Sequence, residues 1–241
     1  MRRIHFVSIV AMGLCAVWWA VGWDVAPRAA GDETQEVDLL TAQDAAGQLA
    51  GWEFYAEEEG TKTDAVWTLR DGVLSCRGTP RGYLYTTRDY LNFVLRLEWR
   101  RLPDQEPGKA GVLVRMTGAH KIWPKSLEAQ LNAGQAGDFW GLDGYALQGP
   151  AERSQSVQSA QFGTLTNLRK LVDAEKPPGE WNAYEISAQD ATVTLRINGQ
   201  LVNRATQCDV VPGRICLTSE GDAIEFRRVR LIGASPSPAG T

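Results

Sequence analysis

The sequence predicts an all-β protein, a single-domain sandwich or jelly roll of two antiparallel sheets. Three observations carry this. Short apolar runs follow one another along the chain with turn residues between them. Two junctions are Asp71-Gly72 and Asn198-Gly199, dipeptides whose readiness for positive φ suits a two-residue hairpin turn. No segment of the domain holds a 3.6-residue apolar period for long. So many short strands in a chain of 241 residues imply two stacked sheets, with alternate side chains of each strand turned into the space between them.

Taken in order, residues 1–23 (MRRIHFVSIVAMGLCAVWWAVGW) begin with Arg2 and Arg3 and continue uncharged from Phe6 to Trp23. This is the form of a secretory signal peptide. The length of the run leaves an uncleaved N-terminal anchor as the alternative, the chain's one expected tie to a membrane. Cys15 follows Leu14 rather than a small residue, unlike a lipoprotein signal. The expectation is an exported protein, periplasmic or extracellular. Residues 24–35 read as a polar linker, and 233–241 (GASPSPAGT) as a disordered tail. The domain between them, 36–232, contains no internal repeat or long Pro/Gly break. Near its start AQDAAGQLAG (42–51) reads as a short helix at most.

Strands follow. VWTLRDGVLSC (66–76) is a hairpin about Asp71-Gly72, and VTLRINGQLVN (193–203) repeats the device. FVLRLEWR (93–100) alternates strictly, with Phe93, Leu95, Leu97 and Trp99 on one side. GVLVRM (111–116), SLEAQL (126–131), EWNAYEIS (180–187), GRICLTSEG (213–221) and IEFRRVRLI (224–232) complete the pattern.

Composition excludes some functions. A net charge of −4 and no basic block argue against a nucleic-acid partner. His120 is the one histidine beyond the leader, so a zinc cluster of Cys and His cannot be assembled. Cys76, Cys208 and Cys216 are read as buried free thiols, although Cys208 and Cys216 could be bridged in an exported protein. Nucleophile elbow, phosphate loop and dinucleotide fingerprint are absent. No cofactor is demanded. The carboxylates of Glu128, Asp138, Asp143, Glu220 and Asp222 leave a divalent metal such as Ca²⁺ open.

Alternation points to one candidate surface. FVLRLEWR sends Arg96, Glu98 and Arg100 away from the core, GVLVRM sends Arg115, and SLEAQL sends Glu128 and Gln130. If these strands are neighbours, one sheet face carries carboxylates, guanidinium groups and a carboxamide able to shift each other's pKa values. The plainer reading, favoured by pattern alone, is a solvated face with cross-strand ion pairs of about 0.2–1 kcal/mol each. Trp123 and Trp140, with Phe139 and Tyr145, lie in stretches rich in Gly, Asp and Asn. Flat rings beside carboxylates and amides suit a carbohydrate site; tryptophans plugging the end of the sandwich are the equal alternative.

The segments DGVLSCRGTPRGYLYTTRDYLNFVLRLEWR, GVLVRM, HKIWPKSLEAQLNAGQAGDFW, EKPPGEWNAYEI and VPGRICLTSEG followed by IEFR resemble the 3-keto-disaccharide hydrolase domain family, in the family's order, over about Leu49 to Leu231. The resemblance implies a concanavalin A-like sandwich and cleavage of glycosides already oxidised at C3. Removal of the C2 proton, elimination of the C1 substituent and hydration give net hydrolysis of a carbohydrate substrate, a 3-keto-glycoside. On that reading Glu128 is base or acid, with Arg115 and Gln130 binding the oxyanion or hydroxyls. Trp123 and Trp140 stack on the sugar, and His120, Lys121 and Asp138 are further substrate-binding candidates. Where the family commonly reads Asn-Ser-Gly, Leu-Gln-Ser-Glu-Gly and Phe-Arg-Asn, this chain has Lys109-Ala110-Gly111, Thr218 and Arg228. Those departures imply altered specificity, or else the alternative function of a non-catalytic carbohydrate-binding module of the cell envelope. A structural interaction domain of the envelope is the third reading.

Overall fold

Short hairpins organise the chain. In the computed structural model, which describes residues 36–40, 49–103 and 108–233, Asp71 and Gly72 both take positive φ (50° and 74°) and join β3 (Trp67–Arg70) to β4 (Val73–Cys76). Asn198 and Gly199 (53° and 82°) join β13 (Thr192–Ile197) to β14 (Gln200–Ala205) in the same way. Two successive left-handed residues match the twist of a two-residue turn to that of the strands it joins.

Two eight-stranded sheets result. The first contains β14, β13, β12 (Asn182–Gln189), β6 (Phe93–Arg101), β16 (Ile224–Ile232), β4 and β3 in that order, with β1 (Glu36–Asp38) also paired to β16. The second runs β10 (Ser154–Ser159), β11 (Gly163–Leu168), β9 (Phe139–Leu142), β8 (Ser126–Gln130), β7 (Gly111–Met116), β15 (Arg214–Ser219), β5 (Gly82–Thr86) and β2 (Trp52–Ala56). Every pairing is antiparallel. The only helices among the described residues are a single turn, α1 (Thr63–Val66), and a 3₁₀ turn at Ala151–Arg153. None is long and apolar enough to cross a membrane.

The core lies between the sheets. Phe93, Leu95, Leu97 and Trp99 face Val112, Val114, Leu127, Ala129 and Leu131 across it, all almost fully buried. The alternation expected of β6 and β8 is therefore observed. Trp67 is also buried, and Cys76, Cys208 and Cys216 are free, buried thiols.

Three expectations require correction. β6 lies in the first sheet while β7 and β8 lie in the second, so Arg96, Glu98 and Arg100 do not share a face with Glu128. They form cross-strand pairs instead: Arg96 with Glu185, Arg100 with Glu225, and Glu98 with Arg227 and Arg228. Arg115 does not follow the alternation of its strand. Leu113 pairs with Cys216 but Met116 with Arg214, so β7 holds one residue more than β15 across the same interval. Arg115 absorbs that bulge with a φ of 52°, and Met116 rather than Arg115 joins the outer face beside Leu113. Finally, Phe139 and Tyr145 are buried core residues rather than site aromatics, Phe139 on β9 and Tyr145 in the loop after it. Trp140 sits on β9, outward because Phe139 beside it points inward.

The leader and linker (1–35), residues 41–48 of the expected short helix, and the tail from 234 onward lie outside the described residues.

Candidate active site

On the outer face of the second sheet, cross-strand register aligns Tyr85, Cys216, Leu113, Glu128 and Trp140 on five successive strands. Two residues along each strand, Tyr83 pairs with Thr218 and Gly111 with Gln130, and the Gly111 amide donates to Thr218 Oγ1 at 2.6 Å. A cavity of about 240 Å³ opens over the middle of these ranks. Glu128, Glu220, Lys109, Gln130, Trp123 and Trp140 line it, with Leu142 and Leu165 supplying apolar wall.

Glu128 is 4% exposed, and no counter-charge holds it ionised. Burial first, and the neighbouring Glu220 second, push its carboxyl well above the usual carboxylate range. Its room is made by Gly111: a Cβ there would come within 2.4 Å of Glu128 Oε1. Glu220, just past the end of β15, is also raised by burial. Hydrogen bonds from Trp123 and Thr218 and the charges of Lys109 and Arg81 oppose that rise. The two carboxyls interact, so they titrate as a pair. The contacts just named favour the ionised form at Glu220, whereas burial and Glu220 both favour the protonated form at Glu128.

Two polar atoms complete the picture. Gln130 Oε1 and Trp140 Nε1 are buried without a hydrogen-bond partner, and both residues line the cavity. Buried polar atoms are ordinarily satisfied, and a hydroxyl-bearing ligand provides both donors and acceptors. The Trp123 ring, held at a φ of 57°, lies 4.4 Å from Phe162, which fixes its plane at the cavity wall.

Among the sequence-predicted residues, Glu128, Gln130, Trp123 and Trp140 are thus brought together. Arg115 is not: its fully buried guanidinium donates to the carbonyls of Leu91 (3.0 Å) and Asp209 (2.8 Å), tying two loops. Asp138 braces a turn, accepting the Lys170 amide at 2.9 Å. Lys121 pairs with Asp143 at 2.7 Å, and His120 lies beside a separate cavity described below. Sequence reasoning considered Glu220 only as a cation ligand and Lys109 only as a departure from a pattern. The alternation of Thr218, Ser219 and Glu220 was the available signal, since it sends the first and third to one face. Of the family departures, Lys109 lines the cavity and Thr218 hydrogen-bonds Glu220, whereas Arg228 pairs with Glu98 on the other sheet. Among the described residues no three His, Cys, Asp or Glu side chains converge as a metal cage.

A wider depression of about 360 Å³ lies on the outer face of the first sheet. Its Arg96, Glu98, Glu185, Arg228 and Arg230 are already joined in ion pairs with neighbours, and none of the unpartnered buried polar atoms among the described residues lines it.

Solved structures share the fold. A Parabacteroides distasonis protein provisionally named a glycosyl hydrolase matches with a TM-score of 0.55 and 20% identity, over 82% of this chain and 98% of that one. The carbohydrate-binding module CBM66 from Bacillus subtilis matches at 0.53 and 10% identity, over 75% and 94%. The Bacillus licheniformis β-glucanase matches at 0.52 and 10% identity, over 83% and 97%. No curated protein sequence matches the chain. The family model of the 3-keto-alpha-glucoside-1,2-lyase-like domain matches residues 43–232, nearly the whole sandwich, and the chain belongs to that family.

Proposed function

We propose that this chain is an exported enzyme that cleaves glycosides oxidised to a ketone at C3. Family membership supports a carbohydrate-active protein, and one observation carries the finer reading: Glu128 and Glu220, both raised by burial, in one cavity with tryptophan walls. A C3 ketone acidifies the C2 proton, so a carboxylate suffices as base, and more so when its pKa is raised toward neutrality.

The roles follow from the asymmetry of the pair. Glu220, whose negative charge Trp123, Thr218 and Lys109 stabilise, takes the C2 proton. The C2–H electron pair passes to the C3 oxygen as an enolate, then returns to form a C1=C2 bond as the C1–O bond breaks. Glu128, the protonated partner, gives its proton to the departing oxygen, and the leaving group departs as an alcohol. Water then adds to the unsaturated 3-keto sugar. Glu128, now ionised, takes a proton from water as its oxygen joins C1, and Glu220, its proton exchanged with solvent in the interval, protonates C2. The Lys109 ammonium offers positive charge to the enolate oxygen. Gln130 and the Trp140 indole N–H bind hydroxyls, and the tryptophan rings stack on the sugar.

The test is incubation of the purified protein with 3-keto-trehalose and a 3-keto-β-glucoside in deuterated water. The reading expects release of 3-keto-glucose carrying deuterium at C2. Glu128→Gln is expected to lower kcat by about 10²–10⁴-fold on alkyl glycosides while ligand binding persists. A 4-nitrophenyl leaving group, which needs no proton, should rescue that variant but not Glu220→Gln. Saturable sugar binding with no turnover of either substrate would instead favour the non-catalytic binding module.

A further inference from the structure

The loop leaving β7 crosses the open face of the second sheet with His120 and Trp123 three residues apart. Trp123 walls the cavity of Glu128; His120 borders a second cavity of about 230 Å³ with Asp89, Met116 and Arg214. The two share a floor. Met116, Leu113, Tyr83 and Tyr85 belong to one apolar cluster with Leu142, against which Trp123 and Trp140 pack.

His120 is exposed, yet its ring is held firmly. It stacks on Tyr55 (5.5 Å between centroids, 19° between planes), lies 4.5 Å from Tyr85, and its Nδ1 is 2.9 Å from the Tyr83 hydroxyl. Burial against these rings, and the charge of Arg214, lower its pKa and favour the neutral imidazole. An aromatic plane backed on one side and open on the other is a stacking platform. Beside it Arg214 Nε contacts Asp89 Oδ1 at 2.5 Å and Arg214 Nη1 donates to the Thr86 carbonyl at 2.7 Å. The ion pair is locally neutral and keeps spare N–H donors and carboxylate lone pairs, which match the hydroxyls of an uncharged sugar better than an ion.

We propose that the His120–Arg214–Asp89 cavity is a second sugar subsite, which holds a pyranose ring of the leaving group beyond the bond that is cleaved. The assignment to the leaving group rests on reading the Glu128 cavity as the site of reaction. Leu113, the partner of Glu128, pairs with Cys216 and Met116 pairs with Arg214, two residues apart on β15, so the bulged interval spans about 7 Å along the strand. A ring seated there is therefore not the reacting one. The subsite makes oligosaccharide glycosides, rather than glycosides of small alcohols, the preferred substrates.

Two readouts test this on the full chain. Values of kcat/KM for methyl 3-keto-glucoside, 3-keto-trehalose and a 3-keto-cellotriose are compared in the wild type, His120→Ala and Arg214→Lys. The expected result is a loss of about tenfold on the longer glycosides, with the methyl glycoside within twofold. Equal losses on all three substrates would overturn the subsite. The second readout needs no turnover: imidazole NMR signals, assigned through His120→Ala, are followed during titration with trehalose, cellotriose and methyl glucoside. A His120 shift by an oligosaccharide but not by methyl glucoside supports the subsite even if no 3-keto-glycoside is cleaved. No shift with any sugar, or the same shift with methyl glucoside, would refute it.

Discussion

Glu128 is buried, uncompensated and close to a second carboxylate, three conditions that each favour its protonated form. The consequence for stability has a definite sign. Its pKa is raised on folding, so the folded protein binds a proton that the unfolded chain releases. Stability contributed in this way is present at low pH and lost as pH rises through the raised folded value. Glu128→Gln cannot ionise and does not lose it. Denaturant titrations of variant and wild type across pH 4.5 to 9 should therefore show the variant gaining relative stability as pH increases. A pH-independent difference would mean that Glu128 carries no shifted titration. Arg115 has the opposite character, a charge spent wholly on structure. Arg115→Met leaves the part-buried Leu91 carbonyl without its donor and the Asp209 carbonyl with only the Tyr145 hydroxyl, and should cost about 2 kcal/mol of stability. The folded fraction should keep its turnover on 3-keto-glycosides, since the guanidinium does not reach the cavity; loss of kcat without loss of stability would contradict that placement.

At the scale of the element, β7 does two jobs at its two ends. At its start Gly111 donates to Thr218 and leaves the space in which Glu128 lies. Gly111→Ala would place a methyl 2.4 Å from Glu128 Oε1 and 2.9 Å from its Cγ, so the carboxyl must turn away. The backbone there is ordinary extended strand, so the protein should fold with near wild-type stability. A misplaced catalytic group costs about 10²-fold, to be read in kcat. At its end the bulge at Arg115 puts Met116 on the open face beneath His120. The strand itself was legible in GVLVRM. The bulge was not, because it arises from a mismatch of one residue with β15, a hundred positions downstream. Strict period-2 reading therefore misdirected Arg115 and Met116 while placing Val112 and Val114 correctly.

The whole molecule separates charge from chemistry by sheet. The outer face of the first sheet is covered with arginine–carboxylate pairs such as Arg96–Glu185 at 2.7 Å, both partly solvated. The second bears aromatic rings and the Glu128–Glu220 pair. Exposed pairs contribute little, so Glu185→Gln should change stability by less than about 1 kcal/mol and leave turnover intact. A large loss in thermal denaturation, or any loss of kcat, would mean that this face is coupled to the site.

The sequence by itself determined the strands, the Asp-Gly and Asn-Gly turns, and which face of SLEAQL carries Glu128 and Gln130. Those follow from local geometry: a pleated strand alternates, and a two-residue turn needs positive φ. Only the tertiary structure decided which strands share a sheet. It removed Arg96, Glu98 and Arg100 from the site, turned Arg115 into a tie between loops, and brought Lys109 and Glu220 to Glu128 from more than ninety residues away in the case of Glu220. Strand order is fixed by long-range pairing across the sheet, and no local period records it.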